Sequence, residues 1–305
     1  MKLSVNIRIL LYIGLAISAC CPIFTSQQIS SMDTPVVYLF SHGMIDSSQQ
    51  INSYTRYNPT THTNNERFII DVPFATFNFP DASNPILGIK GWKFWQSSLG
   101  GRNEIDALAN AYDETVKICP SDYGIVLVGL SRGASVTLSF TALYKPDRVR
   151  ALVVESPFDS VTSLIEGIHR NMPYLLQKVP GIQSFIGFIM RFLAARRASN
   201  EAQPIDIVDQ IPQDLPILIV CSQEDTLVEA KSSIRLYRKL RESGHVHAYL
   251  LVLPHGDHAK LLQGPNGDIY EQTVHAFYER YNLPHDPVRA ALGRLMLGQC
   301  QPDYK

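Results

Sequence analysis

Val126-Leu127-Val128-Gly129-Leu130-Ser131-Arg132-Gly133-Ala134-Ser135-Val136 joins an apolar run to a helix-compatible run through a serine with glycine on both sides. Gly124 to Val128 has the continuous apolar character of a buried strand, and Ala134 to Tyr144 suits a helix. A strand–turn–helix of the form G-x-S-x-G holds its serine in a strained backbone conformation. Its flanking positions approach so closely that a Cβ would clash, which is why Gly129 and Gly133 stand there. Ser131 is therefore the candidate nucleophile. A serine hydroxyl is protonated at neutral pH, so the chain must also supply a base and a carboxylate to orient that base.

The surrounding pattern places these groups. Pro35–Phe40 and Ala151–Val154 are buried-strand runs, as are Pro216–Cys221 and His247–Leu253, and Phe68-Ile69-Ile70 reads as a further strand. Glu104–Ile118, Ala230–Glu242 and Ile269–Tyr281 have helical spacing. Apolar strands alternating with helices predict an α/β fold, a mostly parallel sheet of about six strands covered by helices on both faces. From Phe158 to Asp214 the strand rhythm stops. Two apolar segments of helical length, Val161–Val179 and Ile182–Ala195, flank Pro180-Gly181 and predict a helical cap inserted at about 158–212. The main domain is expected to span 33–283, and 284–305 is a tail whose structure the sequence leaves open.

In an open parallel sheet, ligands meet the loops at the strand C-termini. After Pro216–Cys221 comes Ser222-Gln223-Glu224-Asp225-Thr226-Leu227-Val228, where Asp225 is the candidate acid and Glu224 its neighbour. Glu155 and Asp159, after the preceding strand, are rivals, and Asp225 could alternatively cap the helix that follows. After His247–Leu253 comes His255-Gly256-Asp257-His258. His258 is the preferred base because it lies beyond the glycine-containing turn, where the loop can bend back toward the sheet edge, whereas His255 suits loop contacts.

SHGM, VGLSRGA, SQEDTLV and PHGDH, in that order from about Pro35 to Tyr281, together resemble the α/β-hydrolase family. The resemblance implies that Ser131, Asp225 and His258 form a triad. It also implies an oxyanion hole made by the backbone N–H groups of Met44 and Arg132, main-chain donors whose side chains need not matter. Gly-Leu-Ser-Arg-Gly and Glu155-Ser156-Pro157-Phe158 further resemble prolyl-oligopeptidase-like catalytic domains. Few residues lie between the N-terminal apolar run and Pro35, so the leading hairpin of the family is expected to be missing or rudimentary. The Phe-rich stretch after Ile70 is read as a loop.

The expected substrate is a small-molecule or lipid ester with an apolar acyl group. Trp92 and Trp95 before the first long helix, and Phe185 and Phe188 on the cap, are the candidate substrate-binding residues. A serine peptidase of the same fold and a non-catalytic binding protein are the alternatives. The chemistry calls for no metal or organic cofactor, and the cysteines (Cys20, Cys21, Cys119, Cys221, Cys300) form no zinc pattern. A net charge of -1, from 27 Lys+Arg against 28 Asp+Glu, provides no field for nucleic acid, which argues against such a partner. Lys2 and Arg8 followed by apolar Ile9–Ala19 read as a secretory signal over 1–25. Ile17-Ser18-Ala19-Cys20 resembles a bacterial lipobox. The expectation is an exported protein, secreted or attached to a membrane through its N-terminus, with Cys20 as the candidate lipid-bearing residue.

Overall fold

The computed structural model describes residues 34–302, apart from 45, 59–60, 62, 72, 83–98, 171–180, 182–183, 185–186 and 189–200, and apart from the side chains of 168–169. The segment read as an N-terminal signal, Trp92, Trp95, Phe185 and most of the second segment read as cap therefore lie outside the described residues. The strands are β1 (Val36–Ser41), β2 (Tyr57–Asn58), β3 (Thr63–Asn64), β4 (Phe74–Thr76), β5 (Gly124–Leu130), β6 (Val149–Glu155), β7 (Ile217–Ser222) and β8 (Ala248–Leu253). Among the described residues the α-helices are α1 (Arg102–Ile118), α2 (Arg132–Tyr144), α3 (Val161–Arg170), α4 (Pro204–Ile207), α5 (Ala230–Glu242), α6 (Gly267–Arg280) and α7 (Pro287–Gln299). Among the described residues the main sheet has six strands in the order β4-β1-β5-β6-β7-β8. Every neighbouring pair in it is parallel. This is the α/β-hydrolase architecture expected from the alternation of elements.

The strands of the main sheet are mostly apolar because the sheet is covered on both sides. Side chains alternate across it. Val37, Leu39, Ile125, Leu127, Leu152, Val154, Ile217 and Ile219 pack on the face of α1, α2 and α5. Tyr38, Phe40, Val126, Val128, Val153, Leu218 and Val220 pack on the opposite face with α6 and α7. Among the described residues, no helix is long and apolar enough to cross a membrane.

Two expectations are corrected. Phe68-Ile69-Ile70 is buried but is not a strand of the sheet. The amides of Ile69 and Ile70 both donate to the Tyr54 carbonyl (2.9 and 3.0 Å), and that of Phe68 donates to Glu271 Oε1 on α6 (2.7 Å), so partners outside the sheet satisfy the backbone. The edge strand comes instead from the Phe-rich stretch: β4 pairs Tyr38↔Phe74, Leu39↔Ala75 and Phe40↔Thr76. The tail left open by the sequence contains a full helix. Asp286 caps α7, accepting from Val288 N (3.0 Å) and Arg289 N (3.1 Å), and Pro287 occupies the first turn, where a missing N–H costs nothing.

The elbow is closed by contact distances. A Cβ on Gly133 would lie 2.1 Å from the Ser41 carbonyl oxygen, and one on Gly129 would lie 2.7 Å from Ala134 Cα. Gly133→Ala should therefore destabilise the chain by about 1–3 kcal/mol, since backbone must move to admit the methyl group. Chemical denaturation reads this directly, and a midpoint equal to that of the parent chain would mean that the approach of α2 to β1 is looser than described.

Candidate active site

Ser131 sits between β5 and α2 with φ 55° and ψ -115°, outside the comfortable regions for an L-residue. Such a conformation costs on the order of 1–3 kcal/mol and persists only where the surroundings enforce it. Here the Ser131 N–H donates to the Glu155 carbonyl at 2.7 Å, and the glycines on both sides permit the tight crossing. The hydroxyl is thereby held at the C-terminal edge of the sheet.

The sequence-predicted partners meet it. His258 Nε2 lies 2.8 Å from Ser131 Oγ, and His258 Nδ1 lies 2.7 Å from Asp225 Oδ2. A carboxylate only accepts, so Nδ1 carries the proton and donates to Asp225, leaving the Nε2 lone pair to accept from Ser131 Oγ–H. Asp225 is 4% exposed, and both of its oxygens are engaged. Oδ2 also accepts from Ser156 Oγ (2.9 Å), while Oδ1 accepts from the amides of Leu227 (3.0 Å) and Val228 (2.9 Å). The capping alternative for Asp225 thus has a local counterpart, a turn closed by Oδ1, but α5 begins later, at Ala230. Glu224 and His255 form a separate, exposed pair at 2.8 Å.

The loop after β1 runs alongside the nucleophile: a Cβ on Gly43 would stand 3.7 Å from Ser131 Cβ. Met44 follows directly, and Arg132 opens α2. Three side chains fix this loop, those of His42 and Arg132 buried and that of Gln50 partly so. Gln50 Oε1 accepts from Gly43 N–H at 2.8 Å. His42, fully buried, accepts from Phe79 N–H through Nε2 (3.1 Å) and donates from Nδ1 to the Gly43 carbonyl (2.8 Å). Burial, reinforced by the nearby Arg132 cation, lowers the His42 pKa from 6.5 to about 3, so the ring stays neutral and the tautomer is fixed by its partners.

The third group is the Arg132 side chain, which the sequence reading set aside as dispensable. It is 1% exposed. Nη1 donates to Asp81 Oδ2 (2.5 Å) and Glu104 Oε1 (3.3 Å), Nη2 donates to the Gly43 carbonyl (3.3 Å), and the guanidinium lies over the Phe79 ring at 4.6 Å. Glu104 meanwhile reaches back with Oε2 to the amides of Gly100 (2.6 Å) and Gly101 (3.1 Å), capping α1. One guanidinium therefore ties the elbow, the β1 loop, the segment after β4 and the start of α1 together. The signal available in sequence was the arginine itself, a charge placed where the turn is most buried. Its carboxylate partners are separated from it by 51 and 28 residues, and no local pattern marks them.

Glu155, considered as a rival acid, is buried at the end of β6. Burial raises its pKa from the ordinary 4.5 to about 7, against the pull of the Leu261 amide, the Tyr54 hydroxyl and His258. The folded chain then keeps a proton that the unfolded chain releases. Stability should fall by about 3 kcal/mol as pH rises from about 4.5 to about 7 and stay level above. Thermal unfolding across that window should show the slope in the parent chain and its loss in Glu155→Gln; an equal slope in both would place the titration elsewhere. Of the candidate substrate-binding residues, Phe188 is described and stands 65% exposed.

The profile of the prolyl oligopeptidase family matches residues 90–283. No curated protein matches the sequence. Among solved structures, the chain is similar to an acylaminoacyl peptidase from Pyrococcus horikoshii, with 15% identity and a TM-score of 0.55 over 85% of this chain and 39% of the other. It is also similar to an esterase from Pyrococcus furiosus, with 16% identity and a TM-score of 0.57 over 81% of this chain and 82% of the other. A thermostable carboxyl esterase from Bacillus coagulans gives 11% identity and a TM-score of 0.55 over 82% of this chain and 91% of the other. At these identities the likeness is one of fold. The chain spans about two fifths of the length of the peptidase, the match covering 39% of it.

Proposed function

The chain belongs to the prolyl oligopeptidase family of serine hydrolases, and from that premise we propose that it cleaves a carboxylic ester bearing an apolar acyl group. The observation that carries the serine-hydrolase chemistry is the unbroken hydrogen-bond chain from Ser131 Oγ through His258 to Asp225, built on a strained elbow. Ser131 Oγ attacks the ester carbonyl carbon while its proton passes to His258 Nε2, and Asp225 stabilises the imidazolium that forms. The main-chain N–H groups of Arg132 and Met44 receive the negative oxygen of the tetrahedral intermediate, each contributing about 10²–10³ in rate. The C–O bond to the alcohol then breaks, His258 returns the proton to the departing alkoxide, and the acyl group remains on Ser131. Water, deprotonated by His258, attacks the acyl-enzyme and releases the acid.

The apolar acyl preference is supported by the aromatic residues flanking the site in sequence, Trp92 and Trp95 on one side and Phe185 and Phe188 on the cap. Two of the similar folds are esterases matched over most of their length. Peptide-bond cleavage is the second reading, favoured by the family match and by the acylaminoacyl peptidase likeness. The triad serves both, since His258 can protonate a departing amine as well as a departing alkoxide. Comparing p-nitrophenyl esters of increasing acyl length with aminoacyl p-nitroanilides separates the two. Turnover that rises with acyl length and is confined to esters is the expected result; anilide turnover without ester turnover would move the assignment to a peptidase. Export directed by residues 1–25, to a secreted or a membrane-attached form with Cys20 as the candidate lipid-bearing residue, belongs to the same proposal. The intact mass of the mature protein tests it, a free Met1 N-terminus being the contrary result.

A further inference from the structure

Two consecutive residues at the end of β6 take no part in the proton transfers above, yet they touch the surroundings of all three triad members. Glu155 gives its main-chain oxygen to the Ser131 N–H at 2.7 Å. Its carboxyl accepts from Leu261 N at 3.4 Å through Oε1 and from Tyr54 Oη at 3.1 Å through Oε2. Leu261 lies three residues beyond His258 on the same loop, and that loop passes through strained positions at Gly256 (φ 144°) and Ala259 (φ 60°). Ser156, itself at φ 50°, donates from Oγ to Asp225 Oδ2 at 2.9 Å and from its amide to the Val220 carbonyl at 2.7 Å. A loop with two left-handed turns needs an external anchor to hold one conformation, and the Glu155 carboxyl is placed to be that anchor.

We propose that Glu155 is a positioning residue for the base loop: its carboxylate clamps the Leu261 N–H and the Tyr54 O–H and so keeps His258 within reach of Ser131. The inference rests on the triad reading above. The ionisable groups facing the carboxyl are Tyr54 from the segment after β1, Tyr270 from α6 and His258 from the loop itself. An ionised carboxylate accepts at both oxygens, whereas the protonated form gives up part of that capacity to its own O–H. With the carboxyl raised to about 7 by burial, the clamp tightens as pH rises through neutrality. The rise of activity with pH then contains the ionisation of Glu155 as well as that of His258.

The test uses the rate of fluorophosphonate labelling at Ser131, which needs no substrate, together with ester kinetics from pH 5 to 9. Glu155→Gln is nearly isosteric and removes a buried charge, so it should fold at least as well as the parent at pH 8. It should label about 10- to 100-fold more slowly, the order expected for a displaced catalytic group. Its kcat should fall with KM nearly unchanged, and the rising limb of its pH profile should lose one ionisation. Tyr54→Phe removes one partner of the clamp without a charge change, and should slow labelling in the same direction by a smaller factor. Should Glu155→Gln fail to fold, Tyr54→Phe decides alone. Labelling at the parent rate with an unaltered pH profile in the folded variants would overturn the positioning role while leaving the triad standing. No labelling of the parent chain would overturn the triad and the positioning role with it.

Discussion

Ser131→Ala should lower kcat by about 10⁶, the magnitude expected when the nucleophile of a working triad is removed. The residual rate over water, on the order of 10³–10⁴, would come from the oxyanion donors and from binding, which the substitution leaves in place. The fold should survive. Alanine keeps the Cβ at the same φ of 55°, so the strain at the elbow is unchanged. The hydroxyl lost from the 6% exposed Ser131 gives up one hydrogen bond, to His258. The denaturation midpoint should therefore stay within about 1 kcal/mol of the parent. Initial-rate assays on the best ester, paired with a urea titration, check both halves. A variant retaining more than about 1% of the parent rate would mean that another group attacks the carbonyl.

Arg132→Ala should act on stability, and should be among the most destabilising single substitutions in the chain. Its guanidinium is buried against two buried carboxylates, Asp81 and Glu104. Deleting it removes the guanidinium charge from both buried carboxylates, a loss of about 3–5 kcal/mol. The consequences run outward along the contacts. The Gly43 carbonyl loses a donor next to Met44, Phe79 loses the cation over its ring, and Glu104 is left to cap α1 without its second partner. Arg132→Lys keeps the charge but not the planar fork, and should fall between the parent and the alanine variant. Equilibrium denaturation gives the ordering parent, lysine, alanine. If the alanine variant unfolds at the parent midpoint, the guanidinium contributes little and the main-chain N–H is the whole of the role of Arg132.

What was legible in the sequence shares a physical cause. Ser131, Asp225 and His258 each follow an apolar strand run, and strand C-termini in a parallel sheet converge on one edge, so linear pattern predicts spatial neighbourhood. The buried side-chain pairs around Ser131, Asp225 and His258 were illegible for the converse reason. Asp81 and Glu104 meet Arg132 across 51 and 28 residues, and Glu155 meets Tyr54 across 101. Such pairs are set by how loops drape over the finished sheet, and no periodicity encodes them. The misplacement of the edge strand has a different origin. Phe68-Ile69-Ile70 is apolar because it packs under α6, while β4 has only three residues and lies within a run of aromatic residues that reads as a loop. α7 was missed because Val288, Leu292 and Leu295 face outward, which blurs the contrast between its two sides.

The central claim is that Ser131, made nucleophilic by His258, is the reacting group of this chain. Treating the intact protein with a fluorophosphonate and mapping the adduct by peptide mass spectrometry tests it most directly. The expected result is one adduct, on Ser131, formed at a rate that falls by several orders of magnitude in His258→Ala. An unmodified Ser131 peptide, or equal labelling with and without His258, would contradict it.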